Sequence, residues 1–340
     1  MSVDIEHDPP ASHLQAPQRI RWHGPLMVLA TASALVAVAS VIGLAVDPRE
    51  LVGAPIWAKA LKFGASILIY AVTWAWLIGQ LQRFRRTAWW AGTVISITLL
   101  LELVIIALQV VRGHRSHFNN TNPLDETLWS IMGTAIVLLW LATLVAAILL
   151  WFTPGPDRAR TLAIRAGSFV SLVGLGLGFL MTMPTEAQLA TDGDIIGAHT
   201  VGAGDGGPGI PVLGWSTEYG DLRIPHFVGM HALQLIPLAL VLIELASRRV
   251  VALRSLRTRV GLVWTTTGVL SAVVALVTWQ ALRGQSIIAP DALTLGAAAL
   301  IALGGAIGVG ASLMAGRRAS SHGHEAVVAR TDRASEPAGS

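Results

Sequence analysis

Apolar residues in this chain run in long blocks separated by polar connections, and the blocks are of membrane-crossing length. A helix needs about 20 mainly apolar residues to span a bilayer, and such stretches lie near 25–46, 61–81, 88–111, 127–152, 162–184, 226–247, 260–282 and 292–315. The pattern predicts an all-α polytopic bundle of about eight transmembrane helices over 25–315. A long glycine-rich loop, 185–225, joins the fifth to the sixth. The flanking stretches, 1–24 and 316–340, are polar, rich in Ala, Ser, Pro and Gly, and have the composition of disordered tails.

Composition agrees with a bilayer as the solvent. Of 340 residues 53% are hydrophobic and only 13% charged, against about 25% charged in an ordinary soluble domain. A net charge of +4 would point to nucleic acid in a soluble chain. Here the basic residues sort by loop instead, which excludes that partner and reads as topology. Arg19 and Arg21 precede the first helix, Arg83, Arg85 and Arg86 follow the second, Arg158, Arg160 and Arg165 the fourth, Arg248 to Arg259 the sixth, and Arg317 with Arg318 the eighth. Both termini are therefore expected on the cytoplasmic side of a bacterial inner membrane, with the richer loops outside. The first apolar run follows a polar tail and reads as a retained anchor rather than a signal peptide.

Cysteine is absent, which removes disulfides, thiolate metal sites and covalently attached haem. Histidine and carboxylate remain. Of ten histidines, His114, His117, His199, His226 and His231 fall on or just inside the expected outer face. Imidazole is a common metal and haem ligand and a proton carrier near neutral pH. His114, His117, His226 and His231 are therefore candidate ligands for haem b, and His114, His117, His199 and His231 for a divalent metal ion. His322 and His324, in the C-terminal tail, could hold metal only adventitiously.

Glu102 lies nine residues from the expected outer end of the third helix, roughly 13 Å deep at 1.5 Å per residue. An uncompensated charge at mid-helix costs about 2.5 to 3.5 kcal/mol on insertion scales, so Glu102 should face the bundle interior with a partner or a proton. Gln109 follows on the same face, extending a polar stripe to Arg112 and the nearby histidines. Lys62 is too shallow for Glu102, and Gln109 or a loop carboxylate is its expected partner. Gln234 shares a face with His231, which is expected to stand opposite the stripe beneath the loop. Asp205 sits in Gly204–Gly207, where glycines allow an anion nest or a cation site, or simply tight turns. Glu244 is expected to pair with Arg248 and Arg249. Gly174, Gly176 and Gly178 read as close helix packing, and Gly304 with Gly308 as a helix contact through which copies could associate.

The segments PIWAKALKF (55–63), RGHRSHFN (112–119), and AHTVGAGDGGPG with HFVGMHALQ (198–234) resemble an uncharacterised family of bacterial multipass membrane proteins over about residues 50–250. The resemblance implies a membrane bundle and no activity. Three functions follow as expectations: a redox or sensor protein holding haem b or a metal near the outer face; a proton-linked transporter or channel using Glu102 and Gln109; and a membrane-embedded zinc hydrolase.

Overall fold

The computed structural model describes residues 21–153, 155–191 and 193–334, side chains excepted at 191 and 318–334. The expectations for 1–20, for the last six residues and for the imidazoles of His322 and His324 lie outside that range. The chain is an all-α bundle. Among the described residues seven helices are long and apolar enough to cross a membrane, and a bent helix pair makes an eighth crossing if counted as one span.

The helices are α1 (Gly24–Val46), α2 (Ala58–Gln80), α3 (Arg85–Arg112), α4 (Pro123–Trp151), α5 (Arg158–Leu177), the short α6 (Glu186–Thr191), α7 (Arg223–Met230), α8 (Ala232–Ala246), α9 (Leu256–Leu282) and α10 (Ala292–Ala334). The membrane-length part of α10 is Ala292–Arg317. Two small antiparallel pairs lie outside the bundle: β1 (Glu50–Leu51) with β2 (Ala54–Pro55), and β3 (Thr200–Val201) with β4 (Gly220–Asp221).

Of the four packed clusters among the described residues, the two largest organise the bundle. The larger joins α1, α2, α3 and α4 around Trp74, Leu26, Leu29 and Ile95, all fully buried. The smaller joins α5, α8 and α9 through Ala163, Ile236 and Val263. Small residues set the closest approaches. A Cβ on Gly174 of α5 would stand 2.2 Å from the backbone of Gly229 and Met230 in α7, so those helices touch main chain to main chain. On α10, Gly308 packs against Thr265 of α9, whereas among the described residues nothing lies within 4 Å of a Cβ placed on Gly304. Half of the expected glycine pair is thus taken by a contact within the chain.

The expected sixth helix is broken. α7 and α8 meet at His231 with a bend of 48°. The fifth span changes to a 3-10 turn over Gly178–Thr182 before α6. At the end remote from the long loop, Glu244 pairs with Arg160 at 2.9 Å and Arg259 at 3.4 Å. This corrects the expected Arg248 and Arg249: those residues follow Glu244 on its own chain segment, while Arg160 and Arg259 approach it from the neighbouring helices.

The long loop is folded onto the bundle. β3–β4 pairs Thr200 with Asp221, and isolated bridges join Asn119 to Ile195 and Gly209 to Ser216.

Candidate functional site

Beneath that loop lies a cavity of about 600 Å³, bounded by α2, α3, α4, the 112–119 connection, the loop and α7. Its volume is within the 300 to 1,000 Å³ usual for small-molecule sites, roughly speaking. The lining descends from Lys59 and Lys62 at the head of α2 through Phe63 and Ser66 to Tyr70, with Glu102, Ile136 and Trp140 on the facing helices.

The wall formed by residues 109–125 is built around Asp125, whose carboxylate is fully buried. Oδ1 accepts from Gln109 Nε2 at 2.9 Å and Arg112 Nη1 at 2.5 Å. Oδ2 accepts from His114 Nδ1 at 2.7 Å, Asn122 Nδ2 at 2.7 Å and Asn119 Nδ2 at 3.1 Å. Asn122 also caps α4 by accepting from the Asp125 amide at 3.0 Å, a donor that a helix start otherwise leaves without a partner. Gly113, at φ +76, ends α3 in the left-handed conformation, which favours glycine. α3 therefore does not extend to carry His114 and His117 on one face; both sit in the connection that Asp125 gathers.

His117 turns the other way, into the cavity. Its Nε2 stands 3.6 Å from Glu102 Oε1, a close approach but longer than a hydrogen bond. Ser116 Oγ lies 3.1 Å from Nδ1, and the rings of Phe63 and Trp129 flank the imidazole at centroid distances of 5.6 and 5.5 Å. Glu102 thus meets a histidine, while Gln109 and Arg112, bonded to each other at 2.6 Å, belong to the Asp125 cluster.

On the loop side, Asp205 folds back on its own segment. It accepts from the amides of His199 and Thr200 at 3.0 Å each and from His199 Nδ1 at 2.6 Å. The carboxylate thus ties the glycine turn back to the start of β3. Arg223 of α7 grips Asp221 through Nε at 2.9 Å and Nη2 at 2.5 Å, and donates to the Gly214 carbonyl. Lys62 Nζ donates to the Leu213 carbonyl at 2.7 Å. Its partner is a main-chain oxygen of the loop rather than the expected Gln109 or a carboxylate.

No family model, curated protein or solved structure matches the chain. Chemistry must therefore be read from the site itself. His114, His117, His199 and His226 all line the cavity, and His231 does not. His231 Nε2 lies 2.8 Å from Ser66 Oγ, and Gln234 Nε2 donates to Thr73 at 3.3 Å. His226 Nδ1 donates to the Gly174 carbonyl at 2.8 Å, a bond that the contact between Gly174 and Gly229 makes possible. Among the described residues, no three His, Asp or Glu side chains converge as a metal site.

The sequence alone assigns no site role to Lys59, Asp125, Asp221 or Arg223. The Asn-Pro-x-Asp run at 122–125 is a helix-start signal that could have flagged Asp125. The Asp221–Arg223 grip depends on the loop's fold and left no local mark.

Burial holds the imidazolium of His117 well below its ordinary pKa, reinforced by the neighbouring charges of Lys59 and His199. Burial likewise lowers His199, outweighing the opposing effect of its hydrogen bond to Asp205. For Asp205 burial pushes upward, but the hydrogen bonds from His199 and Thr200 prevail and keep it below the usual carboxylate range. The native state therefore resists protonating both histidines, while an unfolded chain takes those protons as pH falls below about 6.5. Stability is expected to drop between pH 7.5 and 5.5, before the Asp205 contribution is lost at lower pH. Melting of the purified protein should show midpoints lower by a few degrees at pH 5.5, and His117→Gln should flatten that dependence. A melting midpoint unchanged over this range would contradict the assignment.

Proposed function

We propose that this protein is a proton-linked carrier of a small molecule in a bacterial inner membrane, with the loop-covered face outside and both termini in the cytoplasm. The orientation is supported by the arginines at the end remote from the loop, since Lys and Arg favour cytoplasmic connections. The carrier reading is supported chiefly by the two cavities. The large one ends at Tyr70 and Trp140. A second, of about 310 Å³, opens at the other end of the same helices, between Leu77 and Gln80 of α2, Leu150 of α4 and Ile164 of α5. Along α2 the closed layer between them is only about 10 Å thick, taking 1.5 Å per residue from Tyr70 to Leu77. It consists of Trp74, Ala71, Ala146 and the hydrogen bond of 2.7 Å between Tyr70 and Thr143.

Glu102 and His117 provide the proton chemistry. A carboxyl and a neutral imidazole 3.6 Å apart on a cavity wall can pass a proton between them once a water or a substrate group completes the contact. Gln109 belongs to this path by holding the 112–119 connection in place. In proteoliposomes containing a pH-sensitive dye, a panel of small organic acids should include solutes whose uptake moves protons. Glu102→Gln should abolish that proton movement by tenfold or more. Equal movement in the variant, or none with any solute for the native protein, would contradict the reading.

A redox or sensor role with haem b or a metal ion remains the second reading, favoured by the four histidines that line one cavity. His114 and His199 are held through Nδ1 by carboxylates, an arrangement that fixes the tautomer of a metal-ligating histidine. An absorption spectrum of the purified protein without a Soret band, together with a blank metal analysis, would exclude it.

A further inference from the structure

We propose that the cavity binds an amphipathic monoanion, its carboxylate or phosphate held by Lys59 with Lys62 and its apolar body lying against the inner wall toward Tyr70. This rests on the reading of the cavity as a small-molecule site but does not require transport.

Lys59 is the observation that carries it. Its ammonium lines the cavity within a chain region that crosses the membrane, yet among the described residues it has neither a hydrogen bond nor an ion pair. Its nearest aromatic neighbour is Phe63, with the ring centroid 5.8 Å away. Neither nearby carboxyl group pairs with it among the described residues. Asp205 is saturated by His199 and Thr200, and Glu102, whose recorded contact is the 3.6 Å approach to His117, makes no ion pair with Lys59. An ammonium left without a partner away from bulk water is costly, and a bound anion would satisfy it.

The surrounding charge agrees. Lys59, Lys62, Arg115 and Arg223 line the cavity, against Glu102 and Asp205 on its wall and Asp221 behind Arg223. Four cations thus face at most three carboxylates, leaving at least one positive charge for a ligand to neutralise. Arg112 and Asp125 cancel each other in the adjoining cluster. Lys62 and Arg223 converge: a Cβ placed on Gly214 would stand 3.6 Å from Lys62 Nζ and 3.9 Å from Arg223 Nη1. Both donate to consecutive loop carbonyls, Leu213 and Gly214, so the loop backbone covers the cations and would sit over the bound head group.

Below this charged rim the wall becomes apolar, with Ile67, Leu99, Ile106, Leu139 and Leu175. A small hydrophilic anion would leave that surface wet, and a neutral apolar molecule would leave Lys59 unsatisfied. Both features are met by one negative head on an apolar body. Such a head could come from a water-borne organic acid or from an anionic lipid.

The probe is radiolabelled octanoate, measured by scintillation proximity on native protein in phosphatidylcholine nanodiscs, with empty discs as the blank. Octyl phosphate should compete, whereas octanol and octylammonium should be weaker by at least about tenfold, as expected for a charge-assisted contact. Lys59→Met should raise the octanoate Kd about tenfold and Lys59→Arg should largely restore it. If Lys59→Met does not fold, Lys62→Met is expected to weaken octanoate in the same direction. Nanodiscs containing phosphatidylglycerol separate the sources: loss of octanoate binding there identifies an anionic lipid as occupant, and unchanged binding identifies a water-borne acid. Equal competition by octanol, an unchanged Kd in a folded lysine variant, or no octanoate binding in phosphatidylcholine would overturn the proposal. The assay involves no movement across a membrane, so it can fail while proton-linked carriage stands, and the reverse.

Discussion

Replacing Asp125 with Ala should destabilise the protein by about 3 to 5 kcal/mol, the range for removing one member of a buried charge cluster. The carboxylate is fully buried and accepts from six side chains, Gln109, Arg112, His114, Asn119, Thr121 and Asn122. Removing it leaves the Arg112 guanidinium without its counter-charge and several amide donors unmatched at once. The loss extends beyond energy, because the same residue ties the end of α3 to the start of α4 and so sets where His117 stands against Glu102. Asp125→Asn is expected to be milder, since an amide oxygen can still accept from some of these donors. Thermal melting of the two variants beside the native protein should give the order native, Asn, Ala, with the Ala variant lower by many degrees. Equal midpoints for native and Asp125→Ala would show that the cluster does not hold this end of the bundle.

The helical architecture was legible in the hydrophobic pattern because bilayer thickness dictates block length, and residue type barely enters. The ends were harder. α3 and α4 run into polar sequence, Arg85 to Arg112 and Pro123 to Trp151, where capping by Gly113 and Asn122 rather than apolarity decides the boundary. The break at His231 was also invisible. The 226–247 stretch is mainly apolar and of membrane-crossing length, and the bend accompanies the close approach of α7 to α5 at Gly174 and Gly229, a long-range contact. For the site, the pattern marked Glu102 and the histidines as residues needing an explanation, and it gathered most of them on one face. It could not pair them. His231 and Gln234 were expected beneath the loop but bond to Ser66 and Thr73 on α2, because helical spacing says which residues share a face and not which neighbour that face meets. Lys59 escaped for a related reason: a lysine at a helix head is ordinarily a snorkelling one, and only the surrounding cavity shows an ammonium without a partner.

On the carrier reading, the two cavities are the ends of one path interrupted by a thin layer around Tyr70, Thr143, Trp74 and Ala146. Alternation between two arrangements would open that layer to the face opposite the loop, and the expected effect is close to all or none. Ala146 is fully buried, so a side chain there is unreachable in the present arrangement and becomes reachable when the layer parts. The chain contains no cysteine, which makes single-cysteine labelling free of background. Ile136→Cys lines the large cavity and Thr153→Cys the small one, so the two identify the faces when membranes of either orientation are treated with a membrane-impermeant maleimide. Ala146→Cys is predicted to label from the same side as Thr153→Cys, with Ile136→Cys labelling from the other. Labelling of both controls, with Ala146→Cys unreactive from either side, would contradict a path through the bundle.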